Sequence, residues 1–153
     1  MARSYHLALL AEALSHAGRV EEGLSVLAEA LGFVEQRGER FYEAEIYRLK
    51  GELTLQQKST EHGAGSERSQ ELGVNSKEQE AETCFLKAIE ISQKQQAKSL
   101  ELRAVMSLAR LWQQQDKRAE AHQMLSDVYH WFTEGFDTKD LQEAKALLEE
   151  FAQ

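Results

Sequence analysis

The sequence predicts an all-α fold, a series of helical hairpins closed by one further helix. Three observations carry that prediction. The 153 residues contain no proline, where average usage of about 5% would supply seven or eight. Apolar residues recur at i, i+3, i+4 and i+7, the stripe of a helix with one buried face. One pattern also occurs twice. Leu7, Leu10, Ala11, Leu14, Gly18, Gly23, Leu27 and Ala30 are each matched 98 positions later, by Val105, Leu108, Ala109, Trp112, Asp116, Ala121, Leu125 and Val128. Each copy reads as a helix carrying a small residue beside a large one, then a turn, then a second helix facing back. The small residues let neighbouring helices approach closely.

In chain order the periodicity places helices over 4–17, 20–37, 39–57, 78–96, 98–115, 117–133 and 138–152. They form one domain over 1–153, with repeat one at 4–37, repeat two at 39–96, repeat three at 98–133 and a capping helix at 138–152. Gly38 and Gly135 stand where a left-handed C-terminal cap is wanted. In repeat two the second helix is marked by Ala81, Phe85 and Ala88. Its first helix allows two registers. Gly51 as the small contact puts Tyr47 in the leading position but leaves Lys50 and Thr54 at apolar sites. A shift by one uses Ile46, Leu49 and Leu53 and puts Lys50 at the small site. Gly51 is preferred, because a lysine at a helix crossing is the worse fault.

Residues 59–78, STEHGAGSERSQELGVNSKE, hold three glycines and four serines and read as a flexible surface insertion. Such a loop costs only ~1.5–2 kcal/mol in closure entropy. Toward the C-terminus Trp112 takes the large aromatic core site of repeat three. Phe132 continues Ala121, Leu125 and Val128, which leaves Trp131 as a contact candidate if it is exposed. Asp137 or Thr138 can cap the last helix, with Asp140 favourable in its first turn. Leu141, Ala144, Leu148 and Phe151 form its apolar stripe. The first repeat has no matching cap, so its outer face is expected to continue into something further or to meet another copy.

Charge and motifs exclude several functions. Eighteen basic and 26 acidic residues give a net charge of −8, which argues against nucleic acid or an anionic membrane as partner. The single cysteine, Cys84, cannot pair internally and fits a reducing, cytoplasmic setting. Gly18 to Ser25 mimics a phosphate loop, but Leu24 stands where the lysine must be and a helix precedes it instead of a strand. His6, His16, His62, His122 and His130 form no metal-ligand spacing with one another or with Cys84. No nucleophile elbow or ordered catalytic triad occurs. The chain is therefore expected to be no enzyme and to need no cofactor or metal.

The repeated spacing resembles the tetratricopeptide repeat: large, large-small, aromatic, turn glycine, alanine, aromatic, alanine. That resemblance implies three hairpins stacked in a right-handed solenoid with a concave groove lined by first helices. Its groove positions fall on Tyr5, Ala8, Glu12, Ser15 and His16, then Glu45, Arg48, Glu52, Leu55 and Gln56, then Arg103, Met106, Arg110, Gln113 and Gln114. Arg103 and Arg110 lie two turns apart, about 10.5 Å along a helix, a spacing that suits an acidic partner. The competing expectation is that these charges bridge one another between helices.

Four strings, SYHLALLAEAL, GERFYEAEIYRLKGEL, QQAKSLELRAVMSLARLWQQQ and WFTEGFDTKDLQEAKALLEE, resemble the C-terminal repeat tail of large bacterial signalling proteins. Those carry a nucleotide-cyclase or DNA-binding output domain and a signal-transduction ATPase. Neither set of catalytic motifs is present here. The resemblance implies a sensor or scaffold part that binds a peptide or partner protein. Two alternatives remain: an oligomerisation or autoinhibitory segment acting through the N-terminal repeat face, and a small-ligand sensor.

Overall fold

The computed structural model describes residues 3–38, 40–60 and 67–152. Among these are seven helices: α1 (Arg3–His16), α2 (Val20–Arg37), α3 (Glu43–Thr60), α4 (Glu67–Lys94), α5 (Lys98–Gln114), α6 (Arg118–Tyr129) and α7 (Lys139–Phe151). No strand occurs among the described residues, so the all-α expectation holds.

One turn geometry is used three times. Gly18, Gln96 and Asp116 have φ of 75°, 55° and 62°. The following N–H groups, of Arg19, Ala97 and Lys117, donate to the carbonyls of Leu14, Ser92 and Trp112 at 2.9, 2.9 and 2.8 Å. This six-residue closure satisfies carbonyls that the helix end would leave orphaned. Asp116 replaces a turn glycine without changing the turn, since aspartate tolerates the left-handed region better than most residues.

The expected insertion at 59–78 needs correction. Helix α3 runs to Thr60 and α4 starts at Glu67; residues 61–66 of that stretch lie outside the described residues. The serines and glycines suggested a loop, but the segment also carries Glu, Arg, Gln, Leu and Lys and no proline. Gly73 costs only about 1 kcal/mol inside a helix. Once the packed part of α4 is formed, adding turns needs no new nucleus.

Each helix packs on the next one along the chain. The odd-numbered helices also touch in series, α1 on α3, α3 on α5 and α5 on α7, whereas no two even-numbered helices meet among the described residues. The odd helices thus form a continuous inner row and the even ones an outer layer. The core runs between the layers. Leu27, Ala30 and Val34 of α2 meet Ala11 of α1 and Ile46, Leu49 and Leu53 of α3. Phe85 and Ala81 meet Leu108 and Leu111. Leu102, Val105 and Ala109 meet Leu125 of α6 and Leu141, Ala144, Leu147 and Phe151 of α7. Each fully buried Val, Leu, Ile or Phe among them contributes about 1.5–3 kcal/mol.

The two registers considered for α3 are both used, because this helix is covered on two sides. Ile46, Leu49 and Leu53 face α1 and α2. Gly51 lies against Phe85, so close that a Cβ there would stand 2.5 Å from the ring. Thr54, at an apolar site, is satisfied by donating its hydroxyl to the Lys50 carbonyl at 2.7 Å. In α7 the fully buried stripe is Leu141, Ala144, Leu147 and Phe151, with Leu148 only partly buried. Thr138 precedes it with extended backbone but makes no side-chain cap. Helix α6 stops at Tyr129 instead of 133, which puts Trp131 and Phe132 in the link to α7.

Candidate functional site

The inner row brings most of the sequence-predicted groove residues onto one surface. Helical spacing puts Glu45, Arg48 and Glu52 on one face of α3, and Arg103, Ser107 and Arg110 on the facing side of α5. The Arg48 guanidinium grips Glu45 through two bonds of 2.6 and 3.0 Å. Both side chains are largely shielded, at 11% and 9% exposure. Burial works against the Arg48 charge, but the Glu45 hydrogen bond and the carboxylates around it prevail and its pKa rises. Arg48 also reaches Glu52 at 3.8 Å, and Glu52 accepts the Ser107 hydroxyl from α5 at 2.7 Å.

Arg103 is the hub of this surface. It approaches Glu45 of α3 at 2.7 Å, Glu12 of α1 at 3.9 Å and Asp140 of α7 at 3.8 Å. One guanidinium therefore ties together all four helices of the inner row. Farther along, Arg110 faces Glu143 of α7 at 3.6 Å. Gln113 donates to Glu150 at 3.0 Å, and Gln56 donates to Ser15 at 2.6 Å, joining α3 to α1.

Two expectations change accordingly. Arg103 and Arg110 do not stand as free cations awaiting an acidic partner; both are engaged by carboxylates of the same chain. Met106 does not line a groove: α7 packs across it and leaves it 3% exposed within the core. His16 and Gln114 are exposed and lie outside the ion-pair network. Residues outside the groove positions named from the sequence complete the surface, namely Asp140 and Glu143 from α7 and Leu9, Tyr42, Leu49 and Leu100. The signal for the two acids was present in the i, i+3 spacing of Asp140 and Glu143. Using it required knowing that α7 lies beside α5.

Beside Arg103 the row opens into a cleft of about 80 Å³. Its walls are mainly apolar: Tyr5, Ala8 and Leu9 from α1, Tyr42 and Leu49 around α3, and Leu100 from α5. The Tyr5 and Tyr42 rings lie 4.9 Å apart. Glu12, Glu45 and Arg103 form its polar side. On another part of the molecule Trp131 is 58% exposed with the Lys98 ammonium 5.5 Å from its ring centroid, so the condition set for a contact residue is met.

Little else has the arrangement of a chemical site. Among the described residues no group of three or more His, Cys, Asp or Glu could hold a metal ion. Cys84 is buried, and burial pushes its thiol pKa up, the opposite of what an activated nucleophile needs. No described helix is long and apolar enough to cross a membrane. Compared with protein-family models, curated proteins and solved structures, the chain matches none.

Proposed function

We propose that this chain is a non-catalytic, helical-repeat interaction module that receives a polypeptide partner on its inner row of helices. The tetratricopeptide spacing of the sequence supports the repeat part of this proposal, as does the layering of odd helices inside and even helices outside. The observation that carries the interaction part is the apolar cleft between α1, α3 and α5. It keeps Leu9 44% and Tyr5 37% exposed beside an ion-paired wall. A pre-organised surface of that kind binds at low ordering cost. The likeness to bacterial signalling tails makes a sensor or scaffold part of a cytoplasmic regulator the natural setting. A photo-crosslinking residue placed at Leu9 should yield adducts with a protein partner in cell lysate, and one placed at Lys145, exposed on α7, should not. Equal labelling from both positions would move the interaction off the inner row.

One observation favours a second proposal, self-association through the N-terminal face. Leu10 and Leu108 occupy the same repeat position, yet Leu108 is fully buried and Leu10 is 48% exposed. Light scattering decides between them. A dimer that Leu10→Glu dissociates would support self-association, and a monomer at all concentrations would remove it.

A further inference from the structure

The charge around the cleft identifies the chemistry of its occupant. Through Arg103 and Arg48 a single ion-pair network joins four carboxylates, Glu12, Glu45, Glu52 and Asp140, to two guanidinium groups. The network is net negative by two charges, the same sign as the whole chain at −8. Its surplus sits on the outside. Glu45, only 9% exposed, takes the short bond to Arg103, whereas Glu12 and Asp140 are 37% and 38% exposed and stand 3.9 and 3.8 Å from it. At those distances neither outer carboxylate has its acceptor capacity filled. A cation arriving at Arg103 would find two partly free carboxylates, Glu12 lining the apolar slot and Asp140 outside its lining on the same guanidinium, and an anion would be repelled by them.

We propose that the cleft takes an apolar side chain of a basic peptide segment, whose adjacent lysine or arginine pairs with Glu12 and Asp140. This rests on the inner-row interaction proposed above and reverses the acidic partner that the two arginines suggest from sequence. A cleft of about 80 Å³ suits a single inserted side chain. Specificity then comes from a single anchor with a flanking cation. The negative field of the chain adds attraction at longer range, within a Debye length of about 8–10 Å at moderate salt.

The test is a random-peptide display library panned on the full chain, with selected peptides titrated against three proteins: wild type, Glu12→Gln/Asp140→Asn and Leu9→Ser. These positions are part-exposed and leave the Arg103–Glu45 bond in place, and thermal melting confirms that the variants fold. The expected peptides carry Lys or Arg next to Leu, Ile, Met or Phe. Their affinity should fall about tenfold or more in each variant, a change of about 1.4 kcal/mol or more, and weaken as salt is raised. Acidic or neutral peptides that lose binding in Leu9→Ser would overturn the basic occupant and leave the inner-row proposal standing. Basic peptides indifferent to Leu9→Ser would overturn the cleft as their site. Failure to select any peptide would overturn both proposals together.

Discussion

Replacing single glycines by alanine separates the two reasons this chain has for a small residue. At Gly51 an added Cβ would stand 2.5, 2.8 and 2.9 Å from three ring carbons of Phe85, where contact distances run to about 3.5–4.0 Å. The ring would have to withdraw by about 1 Å, yet Phe85 is fully buried and enclosed by Ala81, Leu108 and Leu111. Overpacking of that kind costs about 1–3 kcal/mol, against a gain of about 1 kcal/mol from replacing glycine inside a helix. Gly51→Ala should therefore destabilise by roughly 1–2 kcal/mol, the upper part of the overpacking range having the larger weight. For a chain of this size the melting midpoint should fall by about 2–8 °C. Gly32, within α2, has no atom within 4 Å of the added Cβ. Gly32→Ala should show the propensity gain alone, a rise of about 1–4 °C. Gly23→Ala lies between them, because its nearest neighbour is the flexible end of Leu53 at 2.9 Å. Circular dichroism at the helix band, on heating and in urea, reads all three. Gly51→Ala melting at or above wild type would refute the α3–α4 crossing. Partial rescue of Gly51→Ala by Phe85→Leu would identify the contact directly.

The arginines of the inner row should divide by burial. Arg48→Gln, breaking a shielded two-bond pair, should cost about 3 kcal/mol or more, and Arg103→Gln, 31% exposed, about 1–2 kcal/mol. Arg110→Gln, 46% exposed at 3.6 Å from Glu143, should cost less than about 0.5 kcal/mol because solvent screens it; urea midpoints that rank the three otherwise would break the network assignment. Cys84 supplies a pH test. Its folded pKa is raised by burial, so the folded chain holds a proton that the unfolded chain releases above about pH 8.5. The corresponding stability is complete below that pH and is lost as pH rises through the folded value. The urea midpoint should begin to fall as pH rises past about 8.5, and Cys84→Ala should flatten that fall. Rapid thiol labelling of the native protein at about pH 8 would show instead that Cys84 is open to solvent.

Local information in the sequence was enough for the helices, their order and most of the core. Missing proline, the 3.6-residue stripe and the paired small residues all act within a turn or two of the chain. Even the shared turn at Gly18 and Asp116 is visible in the 98-residue repeat. The loop expected at 59–78 differs from the structure over 67–78, which is helical, because serine and glycine content reports local preference while helix extension is decided by a neighbouring segment that is already packed.

The site divided along the same line. Glu45, Arg48, Glu52 and Arg103 lie together on one surface, as their spacing along α3 and α5 suggested. Whether their charges faced a partner or one another depended on distances between helices that are far apart in sequence. Only the placement of α7 beside α5 brought Asp140 to Arg103 and Glu143 to Arg110, and only that placement buried Met106. The sequence by itself determined which side chains share a helix face, because that follows from residue spacing. The tertiary structure decided which charges are spent on holding the helices together and which are left over, because Coulomb energy depends on separations that no local period encodes.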